Sequence, residues 1–144
     1  MKVQAMLAHK GDYVVTTRPD ATIDTAIHML KLEGIGALVV SDDGVRVQGI
    51  ISERDVVRGL VAHGADLLQM RVAELMTTAV KTCTTEENIK DVMAEMTRSR
   101  VRHLPVVEGG KLCGMISIGD VVKNRLEELE TETNVLRDYI VGRG

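Results

Sequence analysis

The sequence predicts a mixed α/β (α+β) protein: two repeated β-α-β-β-α units packed about a pseudo-two-fold axis, followed by a C-terminal helix. Three observations predict it. First, Gly114-Met115-Ile116-Ser117-Ile118-Gly119-Asp120-Val121-Val122 has a near-copy 65 positions earlier, Gly49-Ile50-Ile51-Ser52-Glu53-Arg54-Asp55-Val56-Val57. Self-similarity at a fixed offset marks repeated supersecondary units. Second, Ile23, Ala26, Ile27 and Leu30 share their spacing with Ile89, Val92, Met93 and Met96, and each set lays one apolar stripe along a helix. Third, β-branched stretches alternate with those stripes, the pattern of helices layered on sheets. A unit of about 60 residues is marginal alone, so two copies are expected to bury shared faces.

Taken in order, Val3 to Leu7 reads as a short apolar helical turn and resembles Val72 to Met76. Val14-Val15-Thr16-Thr17 and Ala79-Val80-Lys81-Thr82 read as strands. Thr22 and Asn88 stand where helix N-caps belong. After the helices come strands at Ala37 to Val40 and His103 to Val107. Turns follow at Asp42-Asp43-Gly44 and Glu108-Gly109-Gly110, then strands at Val47 to Ile51 and Leu112 to Ile116. Ala62 to Met70 reads as a helix stop and loop. The expected division is residues 1–66 for the first repeat with its short N-terminal helix, 67–130 for the second, and 131–144 for a helical tail. Val122, Leu126, Leu129, Thr133, Leu136 and Ile140 are spaced 4, 3, 4, 3, 4, a short heptad seam that either packs back on its own domain or meets a second chain.

Composition narrows the function classes. Apolar residues make up 44%, with two Tyr, no Phe, no Trp and eight Met, so the core is aliphatic. Net charge is −3, against a dedicated nucleic-acid binder, which carries a basic surplus and stacking aromatics. The two cysteines, Cys83 and Cys113, lack CxxC spacing, and His9, His28 and His63 share no ligand spacing with them, so neither a metal site nor a disulfide framework is expected. No apolar run is long enough to span a membrane, and Met1-Lys2-Val3-Gln4 has no signal-peptide character. A cytoplasmic setting is expected.

The doubled order of strand, helix, Arg102-His103-Leu104-Pro105-Val106-Val107, then Gly-hydrophobic-Ile-Ser-x-x-Asp-Val-Val resembles a tandem pair of cystathionine-β-synthase (CBS) domains, a Bateman module, over about residues 1 to 130. The run from Ile116 to Lys123 with its Glu-rich helix is similar to small stand-alone bacterial CBS-pair proteins. The resemblance implies a regulatory module that binds AMP, ADP, ATP, S-adenosylmethionine or NAD in clefts between the repeats, signals energy or redox state to a partner protein, and associates into a homodimer. It implies that Asp55 and Asp120 hold ribose hydroxyls, and that Ser52 and Ser117 approach ribose or phosphate within turns that include Ile118 and Gly119. It implies that Arg102 and His103, ahead of Leu104-Pro105, contact phosphate. Thr16, Thr17, Thr82 and Cys83 match positions bordering the adenine. The first half departs from the pattern, having Gly36 and Ala37 where the second has Arg102 and His103.

The chemistry suits these roles. A carboxylate accepts from two vicinal hydroxyls, and charged acceptors make the stronger bonds. A helix start with free amides attracts phosphate. The structural alternative is open: Ser-x-x-Asp is also a capping box. Arg54 is a phosphate contact or a solvated charge, and Arg102 and His103 are phosphate contacts or exposed strand ends. Two other function classes stand beside the sensor. One is a small enzyme acting on a nucleotide through Asp120 and His103, although no catalytic triad or Gly-rich phosphate loop supports it, and no catalytic residue is assigned. The other is a structural interaction protein.

Overall fold

The computed structural model describes residues 1–143. Its elements run α1 (Val3–Lys10), β1 (Thr16–Thr17), α2 (Ile23–Glu33), β2 (Ala37–Val40), β3 (Gly49–Ser52), α3 (Glu53–His63), a 3-10 segment (Gly64–Gln69), α4 (Val72–Leu75), α5 (Ile89–Ser99), β4 (His103–Glu108), β5 (Lys111–Ser117), α6 (Ile118–Asp138) and a π-turn (Tyr139–Arg143). Gly144, the last residue of the expected tail, lies outside the described residues. The helix starts follow the local chemistry. Thr22 accepts from the Thr25 amide at 3.2 Å and Asn88 from the Lys90 amide at 3.1 Å, each satisfying a free helix N–H.

The first sheet has the order β1-β2-β3 and the second the order β4-β5. β1 runs parallel to β2, with Thr16 beside Val39 and Thr17 beside Val40. β2 runs antiparallel to β3, with Ala37 beside Ser52, and β4 antiparallel to β5, with His103 beside Ser117. The strand expected at Ala79 to Thr82 does not form. Its remnant is one parallel bridge, Cys83 with Val106, held by Cys83 N–H to Pro105 O (3.0 Å) and Val107 N–H to Cys83 O (2.8 Å). Pro105 explains the loss. It stands where Val39 stands in the first repeat, and extending the ladder to Thr82 needs an N–H that proline lacks. The first strand is also shorter than expected, covering Thr16–Thr17 alone.

Two aliphatic cores form, and the short helices are exchanged between them. Val3, Met6 and Leu7 of α1 are buried with Ile89, Val92, Met96, Leu104, Val106, Ile116 and Val121 of the second repeat. Val72 of α4 is buried with Ile23, Ala26, Leu30, Leu38, Val40 and Ile51 of the first. Each repeat is thus completed by the helix that precedes the other. Full burial of such side chains contributes about 1.5–3 kcal/mol each, so the exchange is what ties the two units together. The glycines that open the duplicated motif permit it. A Cβ on Gly114 would stand 2.7 Å from Leu7 Cδ2, and one on Gly49 would stand 2.6 Å from Met76 Sδ and 3.0 Å from Thr77 O.

α6 passes the expected boundary at residue 130 without a break, ten residues longer than α3. Among the described residues its seam is left uncovered: Val122, Leu126, Leu129, Leu136 and Ile140 are exposed, Leu126 to 62% and Ile140 to 72%. Val57, Leu60 and Val61 of α3 are exposed as well. Among the described residues no helix is long and apolar enough to cross a membrane.

Candidate functional site

Each duplicated turn lies where a strand hands over to a helix, and both turns are complete capping boxes. The Ser52 amide donates to Asp55 Oδ2 at 2.9 Å and the Ser52 hydroxyl donates to it at 3.1 Å, while the Asp55 amide returns to Ser52 Oγ at 3.4 Å. In the second turn the same three bonds measure 2.9, 2.9 and 3.2 Å between Ser117 and Asp120. The structural alternative for Ser-x-x-Asp is therefore realised in both. It engages one oxygen of each carboxylate and leaves the other outside the cap.

What meets the carboxylates differs between the turns. Asp55 Oδ1 accepts from Thr77 Oγ1 at 3.4 Å. Asp120 Oδ2 is paired with the ammonium of Lys10, which also donates to Met115 O at 2.7 Å. Asp120 Oδ1 accepts no hydrogen bond among the described residues. Burial pulls the Asp120 carboxyl up, but hydrogen bonds from Lys10 and Ser117 and the Lys10 charge outweigh it and hold the group below the usual carboxylate range.

His103 joins the two repeats. A Cβ on Gly36 would stand 3.3 Å from His103 Cε1 and 3.5 Å from Glu53 Oε1, so the imidazole and the Glu53 carboxylate both lie against the first repeat's strand entrance. Backbone bonds fix the frame: Glu53 N–H reaches Gly36 O at 3.0 Å, and Ile118 N–H reaches Arg102 O at 2.8 Å. Burial, then the Lys10 charge, pushes His103 below its ordinary value; Glu53 and Asp120 oppose this and Arg102 adds to it. The imidazole is therefore mainly neutral at pH 7. The Gly36-Ala37 departure in the first half acquires a reason here, because a side chain at 36 would crowd His103.

The structure thus brings Gly36, Arg102, His103, Ser117 and Asp120 to one region, and sets Ser52 and Asp55 at the equivalent turn. Thr17, Ala37, Leu104 and Pro105 are buried along their strands. Cys83 is 3% exposed within the second core, its thiol pushed up to about 12 by burial, then by Glu87 and Cys113. Thr16 is half-buried in the first sheet, while Thr82, Arg54 and Gly119 are exposed; Arg54 forms no hydrogen bond or ion pair among the described residues. Ile118 is half-buried against the second core. Lys10, Glu53 and Thr77 were not among the residues singled out from sequence. Lys10 lies 110 positions from Asp120, and only the helix exchange brings them together. A cavity of about 420 Å³ lies beside Gln4, Leu7, Asp12, Thr85 and Cys113, and one of about 330 Å³ beside Met1, Asn88, Arg125 and Glu128. No expected site residue lines either.

Comparison with known proteins follows the same division. The CBS domain profile matches residues 11–62 and again 72–127. The crystal structure of a CBS-domain containing protein from Agrobacterium tumefaciens aligns with a TM-score of 0.84 at 46% identity, covering 87% of this chain and 99% of that one. A mitochondrial CBS domain-containing protein of Arabidopsis thaliana is 36% identical over 136 residues; the match covers 92% of this chain and 66%, just under two thirds, of the relative's own length. The hexameric CBS-CP12 protein from bloom-forming cyanobacteria aligns with a TM-score of 0.75 at 25% identity, over 100% of this chain and 90% of that one.

Proposed function

This chain belongs to the CBS-domain family, and from that membership we propose that it is a regulatory rather than catalytic module, binding adenosine-containing ligands (AMP, ADP, ATP or NAD) in two unequal clefts between its repeats. Occupancy of the clefts passes energy or redox state to a partner protein. The observation that carries the reading is the doubled Ser-x-x-Asp turn, whose cap engages one carboxylate oxygen and leaves the other outside it. A carboxylate in this setting is a charged acceptor for a ribose diol. At the second turn Lys10, Arg102 and His103 add cationic and hydrogen-bonding groups suited to phosphate, while the first has Gly36 and Ala37.

The exposed apolar faces of α3 and α6 support a homodimer, and the cyanobacterial relative is hexameric. The proposed setting is the cytoplasm, with the mitochondrial Arabidopsis relative marking the alternative compartment. Native mass spectrometry of freshly purified protein tests both parts. A dimer mass with adenosine-ligand adducts is expected. A monomer that acquires no adduct from added AMP, ADP, ATP or NAD would overturn the reading in favour of an interaction protein with empty clefts.

A further inference from the structure

We propose that Lys10 is the residue by which the second cleft tells phosphorylated from unphosphorylated adenosine compounds: it leaves Asp120 when a ribose arrives and takes up the ligand's phosphate. The inference rests on the adenosine-ligand reading above and adds to it a residue and a rule of selectivity.

Acceptor capacity at Asp120 decides what must move. Asp120 Oδ2 already receives the Ser117 amide, the Ser117 hydroxyl and the Lys10 ammonium. A carboxylate offers about four lone-pair sites over its two oxygens, about two on each, so three donors more than fill this oxygen. A vicinal diol that engages both carboxylate oxygens needs room on Oδ2. The two Ser117 bonds belong to the helix cap and are held by local backbone geometry. The Lys10 bond is made by a side chain with rotatable bonds, whose ammonium also donates to Met115 O at 2.7 Å, so it is the one that can yield without disturbing the cap.

Lys10 cannot go far once displaced. It closes the last turn of α1, and α1 is anchored by Val3, Met6 and Leu7 in the second core. Its side chain is 31% exposed and that of Asp120 27%, so the ammonium sits at the rim of the site rather than in bulk solvent. Displaced by a nucleoside, it loses an ion-pair partner and gains none. Displaced by a nucleotide, it finds a phosphate. The site therefore opposes adenosine and favours AMP, ADP and ATP, using one cation for both effects. The neighbours sharpen this: Arg102 and Lys10 are both cationic, and the imidazole of His103 is kept mainly neutral.

The first cleft lacks the device. There Asp55 meets the neutral Thr77 hydroxyl on Oδ1, and the offset that aligns Val3 to Leu7 with Val72 to Met76 puts Ala79 opposite Lys10. Selectivity for phosphate is thus a property of the second cleft alone.

Calorimetry with adenosine and AMP tests the inference, using wild type, Lys10→Met and Lys10→Arg, each carrying Asp55→Asn so that the second cleft is read. Lys10→Met should bind AMP about tenfold or more weaker while binding adenosine as well as or better than before, since a single charge-assisted bond carries roughly that factor. Lys10→Arg should keep the preference for AMP. Thermal melts of the same proteins check folding, and the arginine variant carries the test if the methionine variant unfolds: an arginine variant with no preference for AMP counts against the inference. Equal weakening of both ligands by Lys10→Met, or no change in either, overturns the role of Lys10 while leaving the adenosine reading intact. Binding of neither ligand to the unsubstituted wild-type protein overturns both.

Discussion

Replacing Asp120 by Asn separates the cap from the site, because the two roles draw on different atoms. The amide oxygen of Asn can still accept from the Ser117 amide, so the cap survives in weakened form. What is lost is the charge, and with it the Lys10 pair and part of any bond to a ribose diol. The structural cost adds a weakened cap, about 1 kcal/mol or less, to a partly exposed ion pair, about 0–1 kcal/mol. A loss of at most about 2 kcal/mol lowers the melting temperature of a chain of this size by no more than roughly 8 °C. The binding cost is larger. Each charge-assisted bond is worth about 1.5–3 kcal/mol, so affinity for AMP in the second cleft should fall about tenfold to a hundredfold or more. The assay pairs a denaturant melt of the free protein with calorimetric titration of AMP. Asp55→Asn should weaken the first cleft and leave the second intact. Unchanged AMP affinity in both variants would leave the Ser-x-x-Asp turns as helix caps and refute the site assignment.

Other consequences follow from particular contacts. Gly114→Ala forces its methyl group against the flexible end of Leu7, whereas Gly49→Ala also meets the Thr77 carbonyl; overpacking costs about 1–3 kcal/mol, with Gly49→Ala the larger loss, and equal urea midpoints for both variants and wild type would count against the exchanged helices. His103 binds its proton less readily folded than unfolded, so stability is full above the ordinary value of about 6.5 and falls as pH drops below it. His103→Gln should flatten that slope in melts taken between pH 7.5 and 5.5, and an unaltered slope would contradict the buried, mainly neutral imidazole. Leu136→Glu with Ile140→Glu should convert the proposed homodimer to monomer in solution scattering; a dimer that persists would move the interface off the tail seam.

Much of the fold was legible because its signals are local and repeated. The N-caps at Thr22 and Asn88, the apolar stripes of α2 and α5, and the two Ser-x-x-Asp turns each lie within a few residues of the backbone groups they satisfy. The missing strand at Ala79 to Thr82 was not legible locally, since its own residues favour a strand. The obstacle is Pro105 on the neighbouring strand. The exchange of α1 and α4 was hidden for a related reason: Val3 to Leu7 and Val72 to Met76 carry the same pattern and fit either core. The duplicated glycines at 49 and 114 were the available clue, each marking a close approach from another element. Of the candidate site, the capped turns and the His103 region could be read from the motif. Lys10 could not, because nothing in α1 marks its last residue as a partner for Asp120.

Binding of adenosine compounds is the property on which both clefts depend. Melting the full chain, desalted and free of nucleotide, with AMP, ADP, ATP or NAD, and in parallel with the guanosine counterparts, measures this. At a hundred times its dissociation constant a ligand adds about 2.7 kcal/mol of stability, which raises the melting temperature by roughly 5–11 °C at this size. Such a shift is expected for at least one adenosine compound, and a much smaller one for guanosine analogues. No shift with any adenosine compound at millimolar concentration, or equal shifts with both bases, would contradict adenosine-selective clefts.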